Sequence, residues 1–135
     1  MKKSTKSTSR SKKTTPIAGN YVDGFVLAVP KRNLQTYKKM SNDAGKVWME
    51  HGALQYIESV GDDMNPKMPA TFPKMTKVKK GEVVVFAWIV YKSRASRDSV
   101  LKKVMKDPRM DSDPKKMPFD MNRMAYAGFK MIVKY

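Results

Sequence analysis

Asp23, His51, Asp62 and Asp63 are the side chains of this sequence best suited to moving a proton or meeting a cation. Asp23 shares an alternation with Tyr21, Phe25 and Leu27, so it lies on an apolar strand face. A carboxylate there must be paired, hydrogen-bonded or neutralised. Arg94, Arg97 and Arg123 are its candidate partners, and a raised pKa would make Asp23 a general base. Glu58 raises the same question on another strand. Glu50-His51-Gly52 reads either as a catalytic histidine or as a helix end, with His51 favouring the exposed carbonyls and Gly52 in the left-handed cap. Asp62-Asp63 reads as a cation site or as an Asx-type turn opening a loop; two carboxylates are few ligands for Mg²⁺ or Ca²⁺.

The composition narrows the chemistry. Cys is absent, which excludes disulfides, thiol catalysis and thiolate metal sites. One histidine excludes a multi-histidine metal centre. No metal or other cofactor is implied. Trp48, Trp88, Tyr56 and Tyr126 could line a pocket for a flat ligand, or could simply be core. The candidate ligand contacts are Trp48, Glu58, Trp88, Arg94, Arg97, Arg123 and Tyr126.

Lys+Arg number 28 against 12 Asp+Glu in 135 residues, a formal charge of +16. Six of the bases fall between Met1 and Pro16, among Ser and Thr and without an acid or a large apolar side chain beyond Met1. Such a segment cannot offset its ordering entropy, and residues 1–19 are expected to be a disordered tail. Removing those six charges leaves +10 on the body. Lys77, Lys79, Lys80, Lys102, Lys103 and Lys106 could therefore meet RNA or DNA phosphates without sequence preference. Solubility explains the same charge. No apolar run approaches the roughly 18 residues of a membrane span. The first segment lacks a signal peptide's apolar region, so retention in the cytoplasm is expected.

The elements that must position these residues follow from periodicity. Tyr21–Val29 is rich in strand formers and ends at Pro30. Leu34, Tyr37, Ala44, Val47, Trp48 and His51 mark an amphipathic helix, with Asn33 as its expected N-cap. A strand over 53–60 follows, then the proline-containing span Gly61–Gly81. That span is longer than connections usually are, which favours a lid or a dimer-embracing arm. Glu82–Tyr91 (EVVVFAWIVY) is the strongest strand. Ser93 caps a helix that reaches about Lys106, Asp107-Pro108 stops it, and Met124–Tyr135 is the last strand.

The order βαββαβ is the ferredoxin-like arrangement: an α+β domain over 20–135, a four-stranded antiparallel sheet with two helices on one face. The first and third strands belong in the middle. The second, with Gln55 and Glu58, and the fourth, with Lys130 and Lys134, belong at the edges. The third strand is apolar on both alternations, so its uncovered face calls for a partner, and a homodimer packed sheet on sheet is the simplest one.

Several motifs occur in order: Tyr21-Val22-Asp23-Gly24-Phe25-Val26, Glu50-His51-Gly52-Ala53-Leu54, Val60-Gly61-Asp62-Asp63, Ser93-Arg94-Ala95, Asp107-Pro108-Arg109-Met110 and Met117-Pro118-Phe119-Asp120. Together they resemble the YbaA-like family of small bacterial proteins, a domain of unknown function, over about Tyr21–Tyr135. The resemblance implies a dimeric α+β barrel. Some members of that superfamily bind haem through one histidine, which adds a haem-ligand reading for His51. Two function classes follow: a homodimer that binds or transforms a small organic molecule beside the sheet, or a non-catalytic basic module that binds a polyanion.

Overall fold

A computed structural model describes residues 17–135; the expectation for Met1–Pro16 lies outside them. The first strand, β1 (Tyr21–Pro30), passes through a single 3-10 turn at Lys31–Asn33 into α1 (Leu34–Glu50). Asn33 does not cap this helix. Its side-chain amide instead donates to the Pro118 carbonyl at 3.0 Å, fastening the helix start to the last loop. Gly52 takes φ +119° just past the helix, the left-handed geometry that stops it.

The second strand, β2 (Gln55–Val60), is followed by a loop containing the short helix α2 (Phe72–Thr76), capped by Thr71 Oγ1 accepting from the Lys74 amide. Then come β3 (Glu82–Tyr91), α3 (Arg94–Lys106) and β4 (Ala125–Lys130). Ser93 caps α3, its Oγ accepting from the Ser96 amide at 3.1 Å. The last strand is shorter than its sequence predicts. Its ladder with β1 runs from Ala125 to Lys130, and β1 begins at Tyr21, so the chain beyond Lys130 has no facing residue on that strand. Lys134 turns back to donate to Gly19 O and Asn20 Oδ1.

The four strands form one antiparallel sheet in the order β2-β3-β1-β4, which puts β1 and β3 in the centre and β2 and β4 at the edges. Tyr21 faces Tyr91 and Leu27 faces Val85, so the odd-numbered residues of both central strands share one face. That inner face carries the core: Tyr21, Ile89 and Tyr91 pack with Val47 of α1 and Val100 and Val104 of α3, while Leu27, Val29 and Val85 pack with Tyr37. Burying each such aliphatic side chain contributes about 1.5–3 kcal/mol.

The outer face carries the other alternation. Phe86 and Trp88 lie side by side with ring centroids 5.4 Å apart, and Phe72 of α2 leans on Phe86 at 6.0 Å. Phe129 lies over Gly24, where an added Cβ would sit 3.4 Å from its ring. Phe86 remains 43% and Phe129 56% exposed. Among the described residues no helix is long and apolar enough to cross a membrane.

Candidate functional site

The buried stripe of α1 includes Tyr37, Ser41 and Gly45, spaced one turn apart. On β2, Tyr56, Glu58 and Val60 alternate onto the face turned toward that helix. The absent side chain at Gly45 lets Tyr56 lie against the helix: a Cβ there would be 2.9 Å from the Tyr56 ring. Beside this contact is a cavity of about 430 Å³, lined by these side chains together with Leu34, Val85 and Lys38.

Glu58 anchors its polar wall. Tyr37 donates to Glu58 Oε1 at 2.7 Å and Ser41 donates to Glu58 Oε2. Ser41 has one hydroxyl hydrogen, so the contact of 3.0 Å between Ser41 and Tyr56 is Tyr56 donating to Ser41 Oγ. Burial pushes the Tyr56 phenol up to about 12. Burial and the Glu58 charge also raise Tyr37. Both phenols therefore stay protonated at neutral pH, Tyr37 donating directly to the carboxylate and Tyr56 to Ser41.

Asp23 occupies a different place. It is fully buried on the inner face of β1, with Oδ1 3.6 Å from Arg97 Nη1 and Oδ2 accepting from Tyr126 at 3.1 Å. Arg97 also donates to Tyr126 at 2.7 Å and to Tyr21 at 3.1 Å. Gly128 admits this cluster, since a Cβ there would be 2.4 Å from the Tyr21 hydroxyl and 2.8 Å from Arg97 Nη2. Burial raises the Asp23 carboxyl despite the guanidinium, which pulls it down. Trp48 joins from α1 by donating to the Tyr91 hydroxyl at 3.1 Å.

The remaining candidates disperse. His51 pairs with Asp107 at 2.9 Å, and Arg109 ties Asp107 to Glu50. The hydrogen bonds from Arg109 and His51 hold the Asp107 carboxyl well below its ordinary range. His51 follows α1 and Asp107 follows α3, so the His51 ring meets a carboxylate across two helix ends instead of the carbonyls of its own helix. Arg123 grips Glu82 at 2.6 and 2.9 Å and the Lys77 carbonyl at 3.2 Å, far from any role beside Asp23. Trp88 lies on the outer face and donates to Gln55 at 2.9 Å. Arg94 is exposed at the start of α3. Asp62 and Asp63 are exposed after β2, and among the described residues no cluster of three or more His, Asp or Glu could hold a metal ion. Lys77, Lys79 and Lys80 precede β3, whereas Lys102, Lys103 and Lys106 lie on α3; all six are exposed.

From the sequence Tyr37 is only a core position of an amphipathic helix and Ser41 carries no expected role. Their signal is the Tyr37-Ser41-Gly45 spacing, which puts two hydroxyls and a gap on the buried side of an amphipathic helix.

Residues 20–121 match the model of a family described as "Protein of unknown function (DUF1428)". The chain belongs to the DUF1428 family. Tyr37, Ser41, Tyr56 and Glu58 all fall inside the matched span. The uncharacterised YbaA proteins of Escherichia coli (strain K12) and Shigella flexneri are each 41% identical over 113 residues, 84% of this chain and 97% of the relative. The YbaA-like resemblance of the motifs therefore holds along most of the chain. A solved Bacillus cereus protein related to NIF3 aligns with 89% of this chain at 14% identity and a TM-score of 0.37; the alignment covers 27% of that longer chain.

Proposed function

We propose that this DUF1428 protein binds a small organic ligand in the cavity between α1 and β2, with Glu58 as the polar anchor. One observation carries the reading: a carboxylate fixed by two hydroxyls on the wall of a 430 Å³ cavity, where Leu34, Tyr56, Val60 and Val85 supply apolar surface beside the polar Gln35, Asn42 and Ser59. Apolar cavities of some 300–1,000 Å³ with a few placed polar groups are the usual form of small-molecule sites. Its test is native mass spectrometry of freshly purified protein. Wild type should retain a small molecule that Glu58→Gln loses at unchanged thermal stability; retention that ignores the substitution would reject the site.

The working unit in this proposal is a homodimer, in a ferredoxin-like, dimeric α+β barrel arrangement. The strand order β2-β3-β1-β4 and the exposed aromatics Phe86 and Phe129 on the outer face support it. A second reading rests on the six exposed lysines: polyanion contact, with the segment Met1–Pro16 adding charge. Each phosphate neutralised adds about −0.9 to the slope of log affinity against log salt on duplex DNA. Deleting Met1–Pro16 should then flatten that slope by several units, and negligible binding by both forms would retire this reading.

A further inference from the structure

We infer that the molecule held in the cavity between α1 and β2 is a protonated amine on an apolar body, its nitrogen meeting Glu58; this rests on the cavity being a ligand site.

The argument begins with lone pairs. An ionised carboxylate offers about four acceptor positions. Tyr37 takes one on Oε1 and Ser41 one on Oε2, and the Tyr56 hydroxyl lies close by, so among the described residues at least one acceptor position of the carboxylate stays open. The ion pairs of the described residues leave Glu58 out: Lys39 is with Asp43, Arg123 with Glu82, Arg109 with Glu50 and Asp107, and Arg97 with Asp23 and Asp98. Glu58 is exposed on β2, so solvent water reaches it while the cavity is open.

A ligand that fills the cavity expels that water, and the carboxylate must then be compensated by the ligand itself. A hydroxyl brings one donor. An ammonium brings up to three together with the opposite charge, and hydrogen bonds between charged partners are about twice as strong as neutral ones. A carboxylate ligand would bring repulsion. Tyr37 and Tyr56 line the same cavity, and an aromatic face within about 6 Å of a cation attracts it. Leu34, Val60 and Val85 supply the apolar remainder.

The formal charge of +16 on the chain opposes a cation only at long range. Screening at physiological ionic strength removes most interactions beyond about 8 Å, so the nearest carboxylate decides. Among the described residues Lys38 is the one cation lining the cavity, and it is exposed on α1.

Three probes with one phenylethyl body separate the alternatives: 2-phenylethylamine, 2-phenylethanol and 3-phenylpropionate, titrated into the full-length protein and followed by amide chemical shifts. We expect the amine to bind at least tenfold more tightly than the alcohol, with the propionate weakest, and shifts centred on Tyr37, Ser41, Tyr56 and Glu58. Glu58→Gln should bring amine and alcohol to within about twofold. The ranking on the unaltered protein stands even if that variant folds poorly. Alcohol or propionate binding as tightly as the amine, with shifts at the same residues, would overturn the amine and leave the ligand site standing. Failure of all three to shift those residues at millimolar concentration would overturn both.

Discussion

Asp23 and Arg97 meet on the inner face of the sheet with 3.6 Å between Oδ1 and Nη1, and the Tyr126 hydroxyl bridges them, accepting from Arg97 and donating to Asp23 Oδ2. The guanidinium does not fully offset the cost of burying the carboxylate, because the Asp23 carboxyl still lies above its ordinary 3.8. Between pH 3.8 and that raised value the native state therefore keeps a proton that the unfolded chain has released. This contribution to stability is complete below pH 3.8 and is lost as pH rises through the raised native value.

Asp23→Asn should remove that dependence. Urea unfolding from pH 4 to 7 is expected to show the wild-type advantage over the variant shrinking as pH rises. Parallel curves would contradict the assignment. Asp23→Ala, which also strands the Tyr126 and Arg97 donors, should cost about 2–3 kcal/mol.

Arg123 and Glu82 behave in the opposite sense. Hydrogen bonds from Arg123 are the main reason the Glu82 carboxyl is held at about 2 instead of 4.5. Its stabilisation is present above pH 4.5 and is lost as pH falls toward 2. Arg123→Ala should lower stability at pH 7 and much less at pH 2, measured by denaturant titration at both. An equal cost at both values would assign the effect to packing alone.

Gly45→Ala reverses a familiar rule. In an exposed helix interior this change gains about 1 kcal/mol. Here the new Cβ would be 2.9 Å from the Tyr56 ring, so the ring must leave the helix. A net loss of about 1–2 kcal/mol is expected, together with weaker binding of 2-phenylethylamine. Increased stability would show that Tyr56 is not held as described.

The proposed dimer is tested on the outer face. Phe86→Glu combined with Phe129→Glu places charges among the exposed aromatics without touching the inner core. Sedimentation velocity should show a dimer for wild type and a folded monomer for the variant, with far-UV circular dichroism unchanged. A wild-type monomer at tens of micromolar would reject the interface.

The sequence by itself determined what depends on a few neighbouring residues. Ser93 and Gly52 end their helices as expected because capping is settled within one turn. The apolar side chains on both alternations of Glu82–Tyr91 announced a strand with two apolar faces, and the run of motifs resembled the family to which the chain belongs. Even local signals yielded where a distant group competed: Asn33 left its cap for the Pro118 carbonyl, and the last strand stopped where β1 offered no further partner. Only the tertiary structure decided which arginine faces Asp23, that His51 meets Asp107, and that Tyr37 and Ser41 converge on Glu58. Periodicity tells which face a side chain occupies, but not how a helix is rotated and advanced over the sheet. That placement is set by the packing of Val47, Val100 and Val104 on Tyr91 and Ile89, and by the gap at Gly45, acting together across the whole domain.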